Sequence, residues 1–279
     1  VNGYTVRDFL RRDNIAQQQK KFARRGGFET LALAKARHVI GRTRWDKACV
    51  HQVNPNAQYH LCNESLREPF YEGSWCRSTC EQHTIFVSQG DYPIKGLHEA
   101  LVALTYLLRD YPDAKLLTTG KDPRVTGLRA RLLRSNYAAY LAKQIHRLGL
   151  DDHVAFLGSL SAEQMKRQYC TAHVALNPSS IENSSNAIGE AMLLGTPVVA
   201  SYVGGTPDMV TDGVSGLLYP FGAPYLLADA VRRVFSSDEL ATRLSSGARK
   251  AAAARHSREQ NSKDLMAIYR ALAAAPERE

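Results

Sequence analysis

Two glutamates, Glu182 and Glu190, stand eight positions apart across a run of Ser and Asn in "SSIENSSNAIGEAMLLGTPVVAS", residues 179–201. Residues 184–187 read as a helix start. A helix N-terminus presents N–H groups without intrahelical partners and the positive end of a dipole, which together bind phosphate readily. An ionised carboxylate only accepts hydrogen bonds, through two oxygens, so it can grip a pair of vicinal hydroxyls. The combination suits a diphosphate with a hydroxyl-bearing group on each side. The helix end (Ser184, Ser185, Asn186 and Ala187) would take the phosphates. Glu190, one turn inside, would hold a ribose diol, and Glu182, in the loop, would hold sugar hydroxyls. Taken alone, the same acids would be ordinary surface charges at a helix start.

The elements that must position these residues follow from periodicity. From residue 83 onward, short apolar runs alternate with helix-period segments, the pattern of βα units on a parallel sheet. Strands are expected at 84–88, 115–120, 153–158, 173–178, 197–201 and 215–220. Helices are expected over 97–110, with Leu97, Leu101, Leu104 and Leu108 on one stripe, and over 126–148. Another starts at a Ser161–Gln164 capping box, and Gly195 stops the helix of the quoted stretch. Thr206 reads as the cap of a short helix with Pro207 at its first position, and three helices fill most of 223–274. The expected class is α/β, with one complete doubly wound, Rossmann-like domain over 83–279. Residues 1–82 offer a basic helix, a strand at 38–42, a helix near 44–53 and a weak strand at 58–62. That is about a third of a second Rossmann-like domain.

In open parallel sheets, ligands bind beyond the carboxyl ends of the strands. The first strand is followed there by Gln89 and then by Lys95 and Gly96, the second by Gly120, the third by Gly158, the fourth by Glu182, and the fifth by "YVGGT". Lys95 adds a compact positive charge for a phosphate, or else Lys95–Gly96 is a plain turn. Gln89 is either a phosphate contact or a strand-end residue. Gly204 and Gly205 read as a tight turn. Arg42 and Thr43, at the end of the 38–42 strand, either face the cleft or serve structure alone.

The bulk properties narrow the classes. The chain has 279 residues, 44% hydrophobic and 23% charged, the balance of a soluble globular protein. No apolar run approaches the roughly 18 residues of a membrane span, and the opening lacks a signal-peptide core. A cytoplasmic protein is expected, and a first residue of Val rather than Met implies sequence upstream. Net charge is +9, with Arg7, Arg11, Arg12, Lys20, Lys21, Arg24 and Arg25 in one expected helix and a second basic run from Arg124 to Arg147. Such runs are solvated faces, or surfaces for anionic substrates and for peripheral contact with an anionic membrane. No nucleic-acid motif accompanies them. The five cysteines, Cys49, Cys62, Cys76, Cys80 and Cys170, have no zinc spacing and read as reduced thiols. The nine histidines form no i, i+4 pair and no D-x-D is present, so neither a metal nor another cofactor is expected.

Glu182 and Glu190 fit the E-x7-E motif, and the chain resembles the retaining glycosyltransferases of family four, which have the GT-B fold. "PIKG", "AFLG", "NPSSIEN", "GEAMLLGTPVVAS" and "VGGTPDMVTDGVSGLLYP" carry the resemblance in order over 83–274. It implies that Glu182 contacts the transferred sugar, Glu190 the nucleotide ribose and Lys95 the diphosphate. Base contacts would be made largely to backbone near Leu157 and Gly158. The donor would be a nucleotide-diphosphate sugar, UDP- or GDP-linked, and the acceptor a glycan, a lipid-linked molecule or a small molecule. Two departures stand out. Gln89 occupies the place of a usual arginine, and roughly 100 residues of a partner domain, including its glycine-rich loop, are expected to be missing. The rival expectation is a nucleotide-sugar-binding module without transferase activity, either degenerate or half of a split enzyme.

Overall fold

The computed structural model describes residues 5–11, 14–125, 127 and 132–274. The chain opens with two helices, α1 (Val6–Arg11) and α2 (Ile15–Lys35), where one basic helix was expected. The break has a local cause. Asn14 is extended and accepts from the Gln17 N–H while the Gln17 side chain accepts from the Asn14 N–H, a capping box that starts a new helix. Arg12 lies outside the described residues. No residue of α2 is buried. Strand β1 (His38–Gly41), helix α3 (Arg44–Val53) and strand β2 (Gln58–Leu61) form one βαβ unit, its strands parallel and in register from His38↔Gln58 to Gly41↔Leu61. Residues 62–80 then cross to a larger sheet. Phe70 is fully buried there, and the Trp75 indole donates to the Ala172 carbonyl at 2.8 Å.

Six strands make that sheet: β3 (Glu81–Val87), β4 (Lys115–Thr118), β5 (Val154–Phe156), β6 (Ala172–Asn177), β7 (Val198–Ser201) and β8 (Leu217–Tyr219). All are parallel in the order β5-β4-β3-β6-β7-β8. Helices α4 (Leu97–Leu107), α5 (Asn136–Arg147), α6 (Ala162–Thr171) and α7 (Asn186–Leu194) alternate with them. A short α8 (Thr206–Met209) and three helices, α9 (Pro224–Phe235), α10 (Asp238–Arg255) and α11 (Arg258–Ala274), complete the fold. Alternate residues of β3 feed opposite faces. Ile85 and Val87 pack with Leu97, Leu101 and Leu104 of α4, while Phe86 packs with Tyr169, Ile188 and Met192. The architecture is α/β with a doubly wound parallel sheet and a smaller two-stranded one.

Two further expectations need correction. The helix over 126–148 is interrupted, because Ser135 is extended and its hydroxyl accepts from the Ala138 N–H, starting α5 at Asn136; residues 126 and 128–131 lie outside the described set. Thr206 is not the cap of α8. Gly205 holds that place, and a Cβ there would lie 2.3 Å from the Asn183 carbonyl oxygen and 2.6 Å from Thr43 Cγ2. Tertiary crowding therefore fixes a glycine where a capping side chain would otherwise sit. Among the described residues no helix is long and apolar enough to cross a membrane.

Candidate functional site

Strand order reverses between β3 and β6, so the chain leaves these neighbours in opposite directions and opens a crevice at their carboxyl ends. Two loops line it. The loop after β3 carries Gln89, which is exposed, and then a 3-10 turn over Pro93–Lys95. Gly96 ends that turn with φ +71°, and a Cβ there would stand 1.7 Å from the Pro178 carbonyl oxygen. The approach needs a glycine on both counts. The Ser180 N–H and hydroxyl donate to the Ile94 carbonyl at 2.8 and 3.2 Å, docking the turn onto the loop that follows β6.

Docking brings Lys95 and Glu182 together, although they lie 87 positions apart. Lys95 Nζ donates to Glu182 Oε1 at 2.6 Å, and the Ser179 hydroxyl donates to the same oxygen at 2.7 Å. The Gly205 N–H donates to the Glu182 carbonyl at 2.9 Å, and a Cβ at Gly204 would come within 2.0 Å of that carbonyl. Gly204 and Gly205 thus make the expected turn and also admit a close backbone crossing.

The start of α7 is more occupied than its sequence suggests. Ser185 is the N-cap without a side-chain cap bond, and its N–H points at Met209 Sδ, 3.2 Å away. The Ser184 hydroxyl donates to Glu64 Oε1 at 2.7 Å, and Asn177 Nδ2 donates to the Ser185 hydroxyl at 3.2 Å. The N–H groups open to an anion therefore begin at Asn186 and continue to Ala187. A small recess beside them is lined by Ser88, Tyr169, Asn177, Ala187 and Ile188. The fully buried Tyr169 hydroxyl has its pKa raised by burial and, secondarily, by the Glu190 charge.

Glu190 is buried and already gripped. Arg67 Nε and Nη2 donate to its two oxygens at 2.7 and 2.8 Å, a fork-to-fork pair across 123 positions. The same guanidinium stacks 4.8 Å from the Phe70 ring, and its hydrogen bond to Glu190 raises its pKa. Arg67 was not among the expected site residues. It sits in the crossing segment, where neither strand nor helix period marks it.

On the other side of the crevice, Gly120 and Gly158 donate their N–H groups to each other's carbonyls at 2.9 and 3.1 Å, and the Leu157 N–H donates to the Thr118 carbonyl at 2.8 Å. These N–H groups are spent within the protein. A Cβ at Gly120 would meet Asp91 Oδ1 at 2.2 Å, so the glycine accommodates that carboxyl. Burial raises the Asp91 pKa against the opposing charge of Lys121. Arg124, in the second basic run, is also engaged, with Asp122 and with the carbonyls of Asp151 and Val154. Among the described residues no group of three or more His, Cys, Asp or Glu side chains is arranged to hold a metal ion.

Residues 79–251 match the family described as Glycosyl transferases group 1, and they contain the crevice, both glutamates and Lys95. The chain belongs to this family. This group 1 glycosyltransferase chain is 34% identical over 186 residues to D-inositol 3-phosphate glycosyltransferase of Corynebacterium urealyticum, covering 66% of the chain and 42% of the relative. It is 36% identical over 184 residues to the protein of the same name from Geodermatophilus obscurus, covering 65% and 38%. The chain thus spans about two fifths of the length of these curated relatives. Among solved structures, sucrose-phosphate synthase from Thermosynechococcus elongatus superposes with a TM-score of 0.75 at 24% identity, over 89% of this chain and 61% of that one. HepE of Anabaena in complex with UDP-glucose gives 0.70 at 22%, over 83% and 64%. At these identities the superpositions establish the GT-B type of fold.

Proposed function

We propose that residues 83–279 are the nucleotide-sugar-binding domain of a retaining glycosyltransferase, and that residues 1–82 are the end of its acceptor-side domain with the linker. The reaction moves a sugar from a nucleotide diphosphate to an acceptor hydroxyl. The observation that carries this reading is the contact of Lys95 with Glu182 across the switch point, next to the open N–H groups of α7. A diphosphate entering there competes for the Lys95 ammonium and frees the Glu182 carboxylate to accept from sugar hydroxyls. Lys95 and the α7 amides then stabilise the departing diphosphate electrostatically. Glu190 serves the ribose, which requires Arg67 to turn away from it. Gln89 and Gly96 border the phosphates, and Gly120, Leu157 and Gly158 border the base.

The likeness to D-inositol 3-phosphate glycosyltransferases supports a glycosyltransferase, and the UDP-glucose complex of a fold neighbour supports a UDP-linked donor, with a GDP-linked one as the alternative. The acceptor is a glycan, a lipid-linked molecule or a small molecule, and the basic faces of α1 and α2 suit peripheral contact with an anionic membrane. One rival keeps its own observation: Gln89 is uncharged and Arg67 closes Glu190, which favours a binding module that does not transfer sugar. Thermal unfolding with UDP-, GDP- and ADP-glucose tests the binding claim, since a ligand at about 100 times its dissociation constant adds roughly 2.7 kcal/mol. Stabilisation by none of the three would defeat it. Radiolabelled transfer to a broad acceptor mixture separates the enzyme from the binding module.

A further inference from the structure

Asn183, between Glu182 and the start of α7, is held by the first βαβ unit. The Thr43 hydroxyl donates to Asn183 Oδ1 at 2.6 Å, and Asn183 Nδ2 donates to Asp46 Oδ2 at 2.9 Å. Thr43 and Asp46 are the capping box of α3, so both partners are themselves fixed. Asp46 also accepts from the N–H groups of Arg42 and Thr43, at 3.0 and 3.2 Å, and from the Tyr59 hydroxyl. Burial alone would raise the Asp46 pKa, but the bonds from Tyr59, Arg42, Asn183 and Thr43 outweigh it and hold the carboxyl below its ordinary value.

The contact is built on all sides. Gly205 packs against both Thr43 and the Asn183 carbonyl, at distances that exclude a Cβ. Arg44 donates through its N–H and Nε to the Asp208 carboxylate at 2.6 and 2.5 Å. Arg255 Nη2 bridges the Arg42 carbonyl and the Ser184 hydroxyl at 2.9 and 3.1 Å. The peptide that carries Glu182 is therefore clamped between α3 and the glycine turn.

From this geometry we propose that Asn183 is a positioning residue: clasped by Thr43 and Asp46, it fixes the Glu182 carboxylate for the donor sugar and makes the first unit part of the donor site. The inference rests on the reading of Glu182 given above. It differs from a plain interface contact because its effect belongs to the sugar end of the ligand and not to the nucleotide.

The test uses the full 279-residue chain. Asn183→Asp sets a second carboxylate against Asp46 and removes the donor, whereas adding Asp46→Asn (the exchange variant) gives that carboxylate an amide donor again but loses the bond that Asp46 Oδ2 accepts from the Arg42 N–H. Titration calorimetry with UDP-glucose and with UDP reads the two ends of the ligand, GDP-glucose and GDP replacing them if guanine is the base. Asn183→Asp should weaken the sugar nucleotide about tenfold or more, the order of one charged hydrogen bond, and leave the bare nucleotide within about twofold. The exchange variant should recover part of the loss, because the Arg42 N–H stays without its acceptor. Amide hydrogen exchange at 182–187 without ligand should quicken in the single variant and slow again in the pair. Thr43→Val, which removes only the hydroxyl, takes its place if Asn183→Asp does not fold. Equal weakening of both ligands, no weakening, or no recovery in the exchange variant would overturn the clasp. Glu182→Ala is titrated in parallel. If it spares sugar-nucleotide binding, or if the parent chain binds none of these ligands, the reading of Glu182 fails, while the exchange rates still decide whether the clasp holds the loop.

Discussion

Each carboxylate assigned to the donor has a cation on it: Lys95 on Glu182 and Arg67 on Glu190. The two pairs differ in burial and in consequence. Glu190 is almost wholly buried, and removing one partner of a buried pair leaves an uncompensated charge. Arg67→Ala should therefore cost about 1–3 kcal/mol of stability, the desolvation penalty of an unmatched group, seen in chemical unfolding. No loss would mean that the pair is dispensable. Lys95→Met should weaken a bare nucleotide diphosphate by about 1.5–3 kcal/mol, and chelation with EDTA should leave the parent chain's affinity unchanged. Loss of binding on chelation would overturn the phosphate assignment. That Lys95 and Glu182 share one sheet edge was legible because both follow strands of a parallel sheet, where the fold rule looks for ligands, but their contact with each other was not expected. Arg67 was not, because its partner lies 123 positions away and the segment around it has no period to interpret.

The same division holds for whole elements. Boundaries set by local chemistry could be read directly, as with the Ser161–Gln164 box of α6 and the left-handed Gly195 that ends α7. The break before α2 and the late start of α5 were missed although Asn14 and Ser135 are good caps, because basic helix-forming residues on both sides suggested continuity. The cap of α8 was misread for a different reason, since the demand for glycine at 205 comes from Thr43 and Asn183 across the molecule. Gly96 offers a sharp test at this scale. Gly96→Ala forces a side chain into a left-handed residue 1.7 Å from a carbonyl oxygen, so it should cost upwards of about 1–3 kcal/mol in stability. It should also weaken phosphate-bearing ligands by displacing the Lys95 turn. A variant with parental stability and affinity would show that the turn is not rigidly docked.

For the molecule as a whole, alternating runs revealed six parallel strands, but not their order, which depends on crossovers no short window records. That order, β5-β4-β3-β6-β7-β8, is what puts the loops after β3 and β6 on the same crevice. Net charge of +9 favours anionic ligands at long range, so donor affinity should fall as ionic strength rises and the screening length drops to about 8–10 Å. An affinity indifferent to salt would argue against phosphate recognition. Transfer by residues 1–279 assayed alone should lag far behind binding, because orienting an acceptor can account for roughly 7–11 kcal/mol of a barrier and, among the described residues, the proposed acceptor side holds a two-stranded sheet with α3. Efficient transfer by the chain alone would refute that expectation. The most direct test of the central claim is calorimetric titration of Glu182→Ala and Glu190→Ala with a nucleotide diphosphate and with its glucose conjugate. Glu182→Ala should spare the nucleotide and weaken only the conjugate, while Glu190→Ala should weaken both, each loss being about 1.5–3 kcal/mol. Identical behaviour of the two variants toward the bare nucleotide would contradict the assignment of one glutamate to each end of the donor.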